Sequence, residues 1–170
     1  MVRRSVNAGM RVLGIDPSVR STGYGVIECR GANARLIEAG VIATDRRQTF
    51  HARLADINES MTAIIRTTQP DIVAVEQVFS RPVNPKTTIM MAHARGALLA
   101  AAARARLEVI EFSATGVKRA IAGSGAASKE QVARMVVQLL RLSRVPRPAD
   151  VTDALALALA CAHRNGRTIA

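Results

Sequence analysis

Four carboxylates stand where this chain could gather them. Asp16 ends the apolar run Val12-Leu13-Gly14-Ile15, and Glu76 ends Ile72-Val73-Ala74-Val75. Short runs that are apolar without alternation read as buried strands of a parallel sheet. If the two strands are parallel neighbours, both acids emerge at one sheet edge, where open α/β sheets bind ligands. Asp150 and Asp153 are three residues apart at a predicted helix start, so they share a helix face. The positive end of the helix dipole favours acids there. Four carboxylates in one place push up each other's pKa values and oppose folding. A hard divalent cation removes that difficulty, and Mg²⁺ suits a few carboxylates together with water and phosphate oxygens. Two such ions about 3.5–4 Å apart activate a water and stabilise a leaving oxygen. The chemistry suggested is phosphodiester hydrolysis without a protein nucleophile.

Taken singly, each acid has a plainer reading. Asp16 suits a turn, Glu76 a solvated strand end, Asp150 a helix N-cap and Asp153 the first turn of that helix. The plain readings strain when two buried-type strands both end in an acid. Glu111 also ends a short apolar run and is ranked as a supporting or structural residue.

The elements that must position these acids are legible as patterns. Strands are predicted over 11–16, 23–30 and 34–44, with Gly31-Ala32-Asn33 as a hairpin turn. Leu54, Ile57, Met61, Ile64 and Ile65 give a helix over 50–68 that Pro70 ends. A strand over 72–76 leads into the Pro-containing loop 79–85, then an Ala-rich helix over about 86–105 and a strand over 108–112. Ser113 caps a short helix through Ile121, which "GSG" at 123–125 breaks. Ser128 and Gln131 have the spacing of a capping box opening a helix to about 141. Asp150 sits where an N-cap belongs, before an apolar helix over 151–163. The expected fold is α/β: a mixed five-stranded sheet, antiparallel meander first and parallel strands after, with helices on both faces. One domain over 10–164 is expected, with loose tails at 1–9 and 165–170.

Composition narrows the class. The chain has 170 residues, is 49% hydrophobic but only 2% aromatic, and carries a net charge of +11. Small and branched aliphatics must fill its interior. The basic excess, nearly all arginine with Lys86, Lys118 and Lys129 as the lysines, points first to nucleic acid. Cys29 and Cys161 are far apart and read as buried thiols of a reducing cytoplasm, and His51, His93 and His163 share no metal-binding spacing. "ALALALACA" is well short of the roughly 20 residues a membrane span needs, so no membrane association is expected.

The motifs "GIDPSVRSTG", "VAVEQVF", "HARG", "GVKRAIAGSGAASKEQV" and "PADVTDALALALA" follow one another in this order. The ordered set resembles the RuvC family of Holliday junction endonucleases, within the ribonuclease H-like fold, over about residues 10–164. The resemblance implies that Asp16, Glu76, Asp150 and Asp153 are metal-binding catalytic acids serving Mg²⁺ or Mn²⁺. It implies a homodimer cutting four-way DNA junctions, with RuvA and RuvB as partners. It makes Phe79 the aromatic that meets junction bases, and places Lys118 and Lys129 near the scissile phosphate. Ser18 stands where the family more often has Gly, which makes the turn less free to take positive φ. The Ala-rich segment 92–104 is a candidate dimer contact. Three other functions are weighed. A sugar-kinase or actin-like ATPase shares the first loop but needs a far longer chain. A ribonuclease H-like nuclease for structured RNA is usually shorter. An inert nucleic-acid scaffold gains nothing from acids beside phosphate.

Overall fold

The structure, a computed structural model, describes residues 9–77, 85–166 and 169. The chain runs through β1 (Met10–Asp16), β2 (Ser21–Arg30), β3 (Asn33–Ala43), α1 (Phe50–Thr68), β4 (Ile72–Glu76), α2 (Pro85–Arg104), β5 (Glu108–Phe112), α3 (Ala114–Ala122), α4 (Lys129–Leu139) and α5 (Ala149–Arg164). The strands form one sheet in the order β3-β2-β1-β4-β5. The first three pair antiparallel, whereas β4 is parallel to both β1 and β5. This is the mixed sheet the sequence predicts.

The two faces follow from strand alternation. Leu13 and Ile15 of β1 and Val73 and Val75 of β4 point to one side, where they pack on Ile57 and Met61 of α1 and Leu98 of α2. Val12, Ile72 and Ala74 point to the other, under Val117 of α3, Val136 of α4 and Leu155 and Leu159 of α5. Asp16 and Glu76 have the parity of this second set, so both belong to the face that carries α5.

The helix α5 lies unusually close to the sheet, and glycine permits it. A Cβ on Gly14 would stand 1.9 Å from the Ala154 carbonyl oxygen and 2.8 Å from the Ala158 nitrogen. One on Gly23 would stand 2.1 Å from the Asp150 carbonyl oxygen. Gly14 pairs with Gly25 and Gly23 with Asp16 across β1 and β2, so side-chain-free backbone forms a bed for α5. Pro148, not Asp150, is the N-cap of α5, and no side chain caps it. Asp150 is thereby inside the first turn, already on the helix, with its carboxylate turned to β2 rather than back onto its own backbone.

The opposite end of the sheet is tied by charge. Glu28, 4% exposed, meets Arg11 at 3.2 Å and both Arg30 and Arg35 at 3.1 Å. Burial opposes its ionisation, but hydrogen bonds from Arg35 and Arg11 and the Arg30 charge outweigh this and hold its pKa below the ordinary value. Arg11 also donates to the Thr68 carbonyl at 2.8 Å, and its backbone N–H to Asp71 at 2.7 Å, joining β1 to the end of α1.

Replacing Gly14 with Ala drives a methyl group into the α5 backbone. We expect a loss of at least about 2 kcal/mol of stability, the overpacking range or beyond. Denaturant unfolding of the variant against the parent chain measures it, and an unchanged midpoint would contradict the close contact.

Candidate active site

Each acid reaches the edge by a separate route. Asp16 and Glu76 lie one residue beyond the last β1–β4 pair, Ile15 with Val75, so the parallel register sets them side by side. Asp150 and Asp153 arrive on the first turns of α5, seated by Gly14 and Gly23. Ser21 Oγ donates to Asp150 Oδ2 at 2.9 Å and fixes that carboxylate against β2. Lys129 Nζ donates to Asp153 Oδ2 at 2.9 Å. Lys129 is the first residue of α4, whose start is held by the expected capping box: Ser128 N–H donates to Gln131 Oε1 at 2.7 Å, and Gln131 N–H to Ser128 Oγ at 3.2 Å.

Electrostatics show that the four acids share one field. Burial, then the charges of Asp153, Glu76 and Asp150, push the Asp16 carboxyl up to about 7, against the pull of Lys129. Glu76 is raised too, by burial and by Asp153, again opposed by Lys129. Lys129 in turn is raised by its hydrogen bond and charge contact with Asp153, and by Asp16 and Glu76. Thus one ammonium serves as counter-ion to an acid cluster with a surplus of negative charge. Among the described residues no three Asp, Glu, His or Cys side chains are drawn in as a metal shell. Two of the four carboxylates are instead engaged with Ser21 and Lys129.

Two supporting residues carry no sequence signal of their own. Ser21 lies inside the first motif and Arg95 inside "HARG". Arg95 is on α2, 17% exposed, with its guanidinium against the Glu111 carboxylate. Its Nε also points at the Glu76 carbonyl oxygen at 3.4 Å. Glu111 thus pairs with the same side chain that reaches the Glu76 carbonyl. Ser18 does not take positive φ; it exchanges hydrogen bonds with Thr22, so the turn after Asp16 does not require glycine.

A sequence profile described as crossover junction endodeoxyribonuclease RuvC matches residues 12–163. The chain belongs to the RuvC family. The RuvC of Nitrosomonas eutropha is 45% identical over 154 residues, covering 91% of this chain and 85% of that protein. That of Neisseria meningitidis serogroup B is 46% identical over 158 residues, covering 93% and 88%. Among solved structures, Thermus thermophilus RuvC in complex with Holliday junction substrate superposes with a TM-score of 0.87 at 37% identity, covering 93% of this chain and 97% of that one. The yeast mitochondrial Holliday junction resolvase Ydc2 shares the fold, with a TM-score of 0.69 at 15% identity.

The remaining expected site residues of this RuvC-family chain are placed as follows. Lys118 on α3 lines a cavity with Lys129, Glu76 and Asp153. Phe79 lies outside the described residues. His93 packs edge-on against Phe50 and sits 2.8 Å from the Ile89 carbonyl, His163 lies 3.1 Å from the Ala120 carbonyl, and no histidine joins a metal-holding group among the described residues. Cys29 and Cys161 are buried thiols, and burial pushes Cys161 up to about 11. No helix among the described residues is long and apolar enough to cross a membrane.

Asp16 makes a pH prediction for the cation-free protein. Its folded pKa lies above the unfolded one, so its ionisation costs stability above about pH 7, and the cost fades as pH falls toward 4. Asp16→Asn should therefore stabilise the fold at pH 8, by no more than about 4 kcal/mol, and by nothing near pH 4. Thermal unfolding of both chains with a chelator present, across that range, checks the sign.

Proposed function

We propose that this crossover junction endodeoxyribonuclease cuts four-way DNA junctions at the edge formed by Asp16, Glu76, Asp150 and Asp153. The observation that carries the reading is that three other carboxylates, from another strand and a distant helix, all raise the pKa of Asp16. A binding surface for phosphate gains nothing from such a cluster. A cation site does, because hard divalent ions prefer oxygen donors and cancel the repulsion. All four side chains offer that chemistry, and we assign them as ligands of Mg²⁺ or Mn²⁺, two ions to a site.

When bound, such cations supply the charge that activates a water and neutralises a departing oxygen. The chain's own groups do the rest. Asp16, central in the field and half-buried, would be a ligand from β1. Glu76 flanks it from β4. Ser21 keeps Asp150 turned toward the sheet, and Arg95 steadies the backbone at Glu76. Lys129, paired with Asp153, and Lys118 beside it would hold the scissile phosphate. Water oxygen bonds to phosphorus as the bond to the 3′ oxygen breaks, leaving a 5′ phosphate and a 3′ hydroxyl.

A four-way junction is close to two-fold symmetric and must be cut on two strands, so we propose a homodimer with matched sites. The exposed face of α2, including Ala92, Gly96 and Ala100, is the contact we favour; Ala94, Leu98, Ala101 and Ala102 are spent on the chain's own core. Phe79 is assigned to junction bases. RuvA and RuvB are the proposed partners, in the cytoplasm.

Asp16→Asn should reduce cleavage of a synthetic junction in Mg²⁺ at least a thousandfold while binding persists in low salt. Normal cutting by the variant would remove Asp16 from the site. Titrating Mn²⁺ alone into the parent protein should raise its melting temperature at pH 8 and far less in Asp16→Asn. Junction affinity should fall steeply with salt, by about 0.9 in log affinity per log salt for each phosphate neutralised.

A further inference from the structure

The helix α1 packs on the sheet face opposite α5 and carries a buried cation that meets no acid. Arg53, in the first turn of α1, is 9% exposed. Its Nε donates to Thr44 Oγ1 at 2.8 Å, and its Nη2 to the Val19 carbonyl at 2.8 Å. The Thr44 hydroxyl donates to the same carbonyl at 2.7 Å, which closes a triangle of hydrogen bonds. Among the described residues no carboxylate lies within ion-pair distance of Arg53; Asp45, held low chiefly by its hydrogen bonds with Arg47, feels the Arg53 charge only at a distance.

Burying a charge is costly, and an apolar side chain in such a place avoids the cost. What a guanidinium adds is geometry, a planar fork of donors that fixes what it grips. Here the grip is on the turn between β1 and β2. Val19 lies within that turn, between Asp16 at the end of β1 and Ser21 at the start of β2. Its side chain is buried in the same core as Ile57 and Met61. Thr44 follows Ala43, which pairs with Ser21 across β2 and β3. The triangle therefore sits between the two ends of the turn that serve the acids: Asp16 itself, and Ser21, whose hydroxyl holds Asp150. The turn is also closed on itself, Ser18 with Thr22 and the Arg20 N–H with Ser18 Oγ at 3.3 Å, and Arg53 ties this closed loop to α1. We propose that Arg53 is a positioning residue: with Thr44 it fixes the turn after Asp16, and through that turn the placement of Asp16 and Asp150 that cation binding needs. The inference rests on the acid edge holding cations, as proposed above.

The test titrates Mn²⁺ alone into the full chain and reads free Mn²⁺ by electron paramagnetic resonance. Removing a group that orients a metal's ligands costs about ten- to a hundredfold in affinity, so Arg53→Met should raise the half-saturating Mn²⁺ concentration about tenfold. Single-turnover junction cleavage should slow in subsaturating Mn²⁺ and recover as Mn²⁺ rises, while junction affinity in a chelator stays as in the parent. Arg53→Lys keeps the charge but not the fork and should not restore parent Mn²⁺ binding. Ile65→Val, at the far end of α1, lowers stability away from the turn and should leave half-saturation unchanged. Parent-like Mn²⁺ binding by Arg53→Met or Arg53→Lys overturns the proposal. So does an equal shift in Ile65→Val, since lost stability alone then accounts for the effect. If Arg53→Met does not fold, Thr44→Val, which takes the hydroxyl out of the triangle, is read by the same criteria. A parent chain that binds no Mn²⁺ would instead count against the acid edge itself, which separates the two readings.

Discussion

The acid edge depends on how closely α5 lies against β1 and β2. A helix held at ordinary distance from a sheet, with side chains between, would leave Asp150 and Asp153 away from Asp16. Here the Ala154 carbonyl and the Asp150 backbone rest where Gly14 and Gly23 have no side chain. Backbone meets backbone, and the first turn of the helix arrives level with the strand end. The small side chains of α5 serve the same end: Ala154, Ala156, Ala158, Ala160 and Ala162 are all buried, on several sides of the helix. A core with so little aromatic content closes by approach rather than by bulk.

That closeness makes an electrostatic problem that the rest of the site addresses. In a chain of net charge +11, the acids form a negative island. Burial and mutual repulsion raise Asp16 and Glu76, and Lys129 supplies a single compensating charge from the adjacent helix. The chain's basic excess favours phosphates, whereas the island favours cations. At the other end of the sheet the balance reverses, and three guanidiniums close on the one buried carboxylate of Glu28.

The fold was legible because each element had a physical signature of its own. Unbroken apolar runs marked β1 and β4, the Ser128–Gln131 spacing marked the start of α4, and Pro70 marked the end of α1. The parallel pairing of β1 with β4 then follows from the crossover through α1. Harder to see was anything that depends on two remote segments meeting. Gly14, Gly23 and Gly25 look like turn or phosphate-loop glycines in the motif; only the position of α5 shows that they make room for a helix. Asp150 looks like a cap because local spacing says so, but Ser21, 129 residues away, receives its carboxylate instead. Arg95 has no signature within "HARG", since its partners Glu76 and Glu111 lie on two different strands.

One helix serves at once as the centre of the core and as half of the acid edge, and this couples two kinds of selection. Ala154 and Ala158 fit because Gly14 is bare, and Leu155 fills the space above Gly25. A larger residue at one member of such a pair requires a smaller one, or a shifted helix, at the other. In this lineage the sheet glycines and the inward positions of α5 should therefore change together or not at all. Drift in the hydrophobic interior is confined by the ångström tolerance of the contact between helix and sheet.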